Sequence, residues 1–165
     1  MPHATTAHPH GPMRRKDREI TDRAAIDDIL HSGKIMHLGL CRDNVPFVVP
    51  LFYAYDGQCL YFHSAKAGTK IGILKENPVV CFEILDFQGV VDDDAPCDFE
   101  ARHRTAIGLG KAVFIADETE KITALNLIVA RFSARSFEFP KTKLGGTAVV
   151  KIEIESVKGK THGMS

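Results

Sequence analysis

The sequence predicts a mainly β fold, a closed or nearly closed antiparallel barrel with helices at its periphery. Three observations point there. Extended segments follow one another through tight turns, the clearest at Asp56-Gly57, so sequential strands run antiparallel. There is no strand–helix–strand alternation of the parallel-sheet kind. A length of 165 residues, 44% hydrophobic and 25% charged, suits one domain with one hydrophobic core.

The elements follow in order. Residues 1–12 are rich in His, Pro, Ala and Thr and have little to bury, so they are expected to form a disordered tail ahead of a domain over 13–165. His3, His8 and His10 carry metal-binding side chains but read as part of that tail. Thr21 or Asp22 caps a short amphipathic helix with an apolar stripe of Ile26, Ile29 and Leu30, and Gly33 stops it. Residues 34–42 and 46–55 are strands around the Asp43-Asn44 turn, and 59–63 returns after Asp56-Gly57. Residues 68–77 are helical, with Ile71, Ile73 and Leu74 inward, until Asn77-Pro78 ends the helix. A strand over 78–85 leads into a polar loop over 86–98, whose Asp92, Asp93 and Asp94 lack the alternating spacing of a calcium loop. Residues 99–116 are a long β segment in which Gly108 and Gly110 signal a bulge or a close backbone approach. Residues 117–131 are helical, with Ile122, Leu125 and Val129 on one face and Glu118 and Glu120 where the helix dipole favours acids. The last strand alternates over 147–154.

Bulk properties narrow the function. A formal net charge of zero argues against a nucleic-acid binder. No segment has the roughly 20 apolar residues of a membrane helix. The N-terminus lacks the apolar core of a secretory signal, so a cytoplasmic location is expected. Cys41, Cys59, Cys81 and Cys97 form no C-x-x-C pair and are expected to be reduced, Cys81 as a small buried residue.

One segment carries chemistry. His63-Ser64-Ala65-Lys66-Ala67-Gly68-Thr69-Lys70 joins a strand to a helix. Ser64 and Thr69 offer hydroxyls, Gly68 permits close approach, and Lys70 adds a cation to a helical first turn whose N–H groups point outward. A phosphate dianion suits such a site. The spacing is not that of a P-loop, and a solvated helix start explains the same residues.

The run Met13-Arg14-Arg15-Lys16-Asp17-Arg18-Glu19-Ile20 resembles the start of proteins related to pyridoxamine phosphate oxidase, in the subgroup typified by nitroimidazole reductases. Pro46-Phe47-Val48-Val49-Pro50-Leu51-Phe52-Tyr53 resembles that family's P-x-V-V-P-x-x-Y strand. Tyr61-Phe62-His63-Ser64-Ala65 resembles its Y-F-H-S-A, Gly68-Thr69-Lys70 its G-R-K, and Asn77-Pro78-Val79-Val80-Cys81-Phe82 its N-P-x-V-C-F strand. Gly108-Leu109-Gly110-Lys111-Ala112 and Glu120-Lys121 match later blocks.

The resemblance implies a six-stranded split β-barrel that forms a homodimer with FMN at the interface. It places Val49, Pro50, Leu51, Phe52 and Tyr53 along the flavin ring, and Lys70 on the phosphate with Ser64, Ala65 and Thr69 beside it. Thr69 stands where arginine is common, a loss that Arg104 with Thr105 would offset. His63 is the catalytic candidate: close to the flavin, it either protonates a reduced substrate or only binds the cofactor or the dimer partner. His37 and His103 resemble it in chemistry. The implied activity is an FMN-dependent reductase of a small organic acceptor, such as a nitro-aromatic. Alternatives are a haem-binding barrel, with His63 or His37 on the iron, and a flavin-binding protein without turnover. The family's oxidases carry a C-terminal tryptophan and arginines; this chain has no tryptophan, so pyridoxamine phosphate is not the expected substrate.

Overall fold

The computed structural model describes residues 8–164, so the expected tail enters only from His8, and His3 lies outside the described residues. Among the described residues there are eight strands and four α-helices. In order they are β1 (Glu19–Ile20), α1 (Arg23–Ser32), β2 (Ile35–Arg42), β3 (Val45–Phe52), β4 (Ala54–Tyr55), β5 (Cys59–Ala65), α2 (Thr69–Glu76), β6 (Val79–Val91), β7 (Glu100–Phe114), α3 (Glu118–Ala130), α4 (Lys141–Gly146) and β8 (Thr147–His162). The sheet runs β3-β2-β6-β7-β8-β5-β4, with β1 also on β8, and every pair is antiparallel. Six of the eight strands are longer than two residues, and these correspond to the six expected.

The two ends of this sheet belong to one stretch of chain. β3 pairs with β2, β4 pairs with β5, and only Tyr53 separates β3 from β4. The last seam of the barrel is therefore joined by covalent chain and a two-residue ladder, which makes it a split barrel. Tyr53 is fully buried, and its hydroxyl donates to the Leu30 carbonyl at 2.7 Å, so the joint is tied to the end of α1.

Alternation along the strands fills the barrel with Met36, Leu38, Leu60, Phe62, Phe82, Ile84, Val150 and Ile152. Asp22 caps α1 by accepting N–H bonds from Ala24 and Ala25, and α1 adds Ile26, Ile29 and Leu30 to the same core. Helices α3 and α4 build a smaller cluster with Ile115 and Val149, packed against Tyr61 of β5. The outer side of β3, β2, β6 and β7 carries exposed Val48, Phe52, Val79, Leu85 and Ile107 instead.

Several expectations change. The first part of the segment expected as a loop over 86–98 is strand: β6 continues to Val91 and pairs Asp86 with Arg104 through to Val91 with Glu100. Asp86 made the segment look polar, but Arg104 neutralises it at 2.7 Å, and Phe87, Val90 and Val91 favour extended backbone. β8 runs on to His162 because Gly159 lets it pack under Ile20 and Ile26; a Cβ there would sit 2.8 Å from each. Gly33 ends α1 with an ordinary negative φ of −59°, so its need for glycine is spatial. A Cβ would meet the Ile84 side chain and come within 2.8 Å of the Tyr53 hydroxyl. Cys81 is exposed, not buried, because it alternates with inward Val80 and Phe82. All four cysteines are free. Among the described residues, no helix is long and apolar enough to cross a membrane.

Gly108 and Gly110 answer both readings of the sequence. The β7–β8 register shifts between Leu109 and Gly110, and a Cβ on Gly108 would stand 2.5 Å from the Ser156 carbonyl oxygen. Gly108→Ala is expected to lower stability by about 1–3 kcal/mol, the scale of an overpacked core. Urea denaturation measures it, and an unchanged midpoint would contradict the packing described.

Candidate functional site

The site begins where the barrel splits. Ala54 pairs with Tyr61 and Tyr55 with Leu60, but the ladder stops there. Continued, it would set Phe52 opposite His63. Instead the chains diverge, leaving a wedge between β3 and the end of β5. Among the described residues, β3 pairs only with β2, and His63–Ala65 pair only with β8. Each side of the wedge thus presents a strand edge with free backbone donors and acceptors.

The β3 side alternates. Val49 and Leu51 lean on the core, while Pro50 and Phe52 face outward, Phe52 being 56% exposed. Tyr53 is part of the core, its hydroxyl engaged with Leu30 and the Arg131 guanidinium 5.6 Å from its ring, and burial pushes its pKa up. Only its backbone faces the question of a ligand.

The β5 side leads into α2. Gly68 holds φ +112°, a conformation favoured by glycine, and turns the chain so that Lys70 falls in the first turn. The N-terminus of α2 has no side-chain cap, so its first N–H groups remain available. Lys70 is half-buried, with its ammonium 5.7 Å from the Phe62 ring. Burial lowers its pKa, and among the described residues no carboxylate pairs with it. Partial burial of a cation is offset by nearby negative charge. His63 stands on the same side. His63 is exposed at the surface, yet desolvation by neighbouring protein, then the charge of Lys70, hold its pKa below the ordinary 6.5. Ser64 is half-buried; Ala65 and Thr69 are exposed.

Arg104 and Thr105 lie elsewhere in the chain. Arg104 sits across from Thr161 of β8, whereas His63 sits across from Val149. That is on the order of 40 Å along one strand. Arg104 is committed to Asp86 (2.9 and 2.7 Å) and to Asp28 of α1 (2.7 Å), and Thr105 shares a hydrogen bond of 2.9 Å with His103 Nδ1. His37 is bound to Glu83 at 2.7 Å on the outer sheet face. One chain therefore gathers Val49–Phe52 with His63–Lys70, and not with Arg104, Thr105 or His103; His37 lies directly across from Pro50 but is held by Glu83.

Sequence reasoning missed Phe132. Just past α3, its ring packs on Phe52 at 4.4 Å, and the Lys34 ammonium lies 5.7 Å from it. Nothing in residues 131–140 marks this contact, because it depends on where α3 ends. A cavity of about 240 Å³ lies between Arg15, Arg18 and the Thr161–Met164 end, away from His63. Arg15 there is already paired with Asp17, and Arg18 with Glu100. Among the described residues no three His, Cys, Asp or Glu side chains gather to hold a metal, the Asp92–Asp94 run included.

Fold and site together define a split-barrel protein with a half-buried lysine beside an open strand edge. A family model described as pyridoxamine 5'-phosphate oxidase matches residues 22–161, and the chain belongs to that family. It is similar to a Bacteroides thetaiotaomicron VPI-5482 protein named for 5-nitroimidazole antibiotic resistance, with 28% identity and a TM-score of 0.77 over 86% of this chain and 85% of that one. The flavocytochrome Anf3 of Azotobacter vinelandii has 24% identity and a TM-score of 0.83 over 96% and 77%. An FAD- and haem-binding protein of Mycobacterium smegmatis has 22% identity and a TM-score of 0.80 over 89% and 74%. These last two likenesses show the fold. A Rhizobium meliloti (strain 1021) protein is 34% identical over 68 residues, which span 41% of this chain and 44% of that protein, less than half its length.

Lys70→Gln is expected to raise the His63 pKa toward 6.5, read by NMR titration of the ring; a pKa that stays put would show that the two side chains do not interact. The same depressed pKa means the unfolded chain binds this proton more readily. His63 therefore costs stability as pH falls from 6.5 through its folded pKa.

Proposed function

We propose that this protein binds FMN in the wedge between β3 and the His63–Lys70 segment, as a homodimer, and reduces a small organic acceptor such as a nitro-aromatic. The observation that carries the reading is Lys70, a half-buried cation that meets no carboxylate among the described residues, at an uncapped helix start. One cation and one helix start suit one terminal phosphate dianion, with Ser64 and Thr69 hydroxyls close by. The open edges of Val49–Phe52 and His63–Ala65 offer backbone groups to the polar rim of the flavin, and Phe52 with Phe132 offers an apolar wall. Arg104 and Thr105 would join this site only from a second chain, and Arg104 only by leaving Asp86 and Asp28. The exposed apolar outer face of β3, β2, β6 and β7 is what a second copy would cover.

Bound FMN supplies hydride or electron transfer. The chain's own part is to hold the phosphate, expose one side of the ring and deliver a proton. His63 is suited to that last step, because its depressed pKa makes the protonated ring a stronger acid, though a scarcer one at neutral pH. A flavin-holding role without turnover uses the same residues. Stopped-flow mixing of the reduced protein with a panel of acceptors separates the two, since only the reductase shows rapid, acceptor-selective reoxidation.

Lys70→Ala should weaken FMN binding by about 1.5–3 kcal/mol, the scale of a hydrogen bond to a charged group. Fluorescence-quenching titration reads it, and an unchanged Kd would place the phosphate elsewhere. Turnover should rise as pH falls below 6.5 toward the His63 pKa, and His63→Ala should flatten that rise. An identical pH profile in the variant removes His63 as the proton donor.

A further inference from the structure

The wall that Phe52 and Phe132 form is charged at one end. Lys34 directly precedes Ile35, the residue paired with Phe52, so it stands at the same end of the β2–β3 ladder. Its ammonium lies 5.7 Å from the Phe132 ring and donates to the Arg131 carbonyl at 3.2 Å. An ammonium has three N–H donors, and Lys34 is exposed, so the others remain open to a ligand.

This corner is pinned from below. The Arg131 guanidinium donates to the His31 and Gly33 carbonyls and lies over the Tyr53 ring, so its own donors are spent on the end of α1. The same contacts fix residue 132, one step along the chain, and with it the Phe52–Phe132 pair. The two rings are 56% and 46% exposed although they touch each other. A packed pair of rings held open to water is a ready surface for a third ring.

Charge in the corner is one-sided. Three segments build it, 29–42, 44–55 and 122–137, and none contains Asp or Glu. They hold Lys34, Arg131 and Arg135, besides Arg42, which pairs with Glu76 at the far end of β2. Acids on neighbouring elements are engaged: Glu83 with His37, Asp27 with Arg23 and Tyr55, Asp28 with Arg104, and Asp56 with Tyr61. A neutral ring would use only the wall. A ring that carries a carboxylate uses the wall and Lys34 together.

We propose that the acceptor of the reduction is an aromatic acid, with its ring on the Phe52–Phe132 wall and its carboxylate on the Lys34 ammonium. Phe52 holds the ladder position that would face His63, so the wall stands on the His63 side of the wedge. The inference rests on the flavin-reductase reading above and adds the chemical class of its substrate.

The test uses the ¹⁵N-labelled full chain, loaded with FMN and titrated with benzoate and with benzamide. The two probes share a ring and differ in charge. Amide shifts should move around Lys34 and Phe132. Benzoate should bind about fivefold more tightly than benzamide, the upper range of an exposed ion pair. Lys34→Gln should remove that preference and Lys34→Arg restore it, with FMN affinity unchanged in both. In turnover, KM for 4-nitrobenzoate should rise by the same factor in Lys34→Gln, while KM for 4-nitrobenzamide stays put. Equal binding of the two probes, or a preference that survives in Lys34→Gln, overturns the aromatic-acid proposal and leaves the flavin reading standing. A chain that takes up no FMN, seen from its missing flavin absorbance, overturns the flavin reading itself.

Discussion

The structure hangs on the joint at Tyr53. One residue converts the end of β3 into the start of β4, and the sheet leaves one partner strand and takes up another around it. Its ring fills the core, its hydroxyl is fixed to the end of α1 through Leu30, and the missing side chain of Gly33 makes room for that hydroxyl. The wedge follows directly. Because β4 is only two residues long, the ladder to β5 ends before His63, and two strand edges stay open toward the same space.

Electrostatics then distinguishes this wedge from an ordinary gap in a sheet. Arg15, Lys16, Arg18, Arg23, Arg42, Arg104 and Lys151 each sit against a carboxylate. Among the described residues Lys70 meets no carboxylate, although it is partly desolvated, and it bears on His63. The outer face shows the same contrast in apolar terms. α3 and α4 cover the β5–β8 side with a small core, whereas the β2, β3, β6 and β7 side keeps its Val, Phe and Ile side chains exposed.

Much of this was legible in the sequence because it is local. The Asp22 cap, the Asp43-Asn44 and Asp56-Gly57 turns and the Gly68 entry to α2 are short-range signals, and each holds in the structure. The grouping of Val49–Phe52 with His63–Lys70 was legible by resemblance. What failed was long-range. Asp86 read as a loop residue until Arg104 is seen beside it, and the burial of the Tyr53 side chain at the split had no local signal. The pairing of Arg104 with Asp86 and Asp28 was also hidden, because those carboxylates come from distant segments. Phe132 had no local signal at all, since its partner is fixed by the length of α3.

The central claim is a flavin site at this split, and the visible spectrum of the purified protein tests it most directly. After incubation with FMN and removal of free ligand, the account predicts a yellow protein whose flavin absorbance persists, near one flavin per chain. A protein that stays colourless, or that takes up haem and shows a Soret band in place of the flavin spectrum, would contradict it.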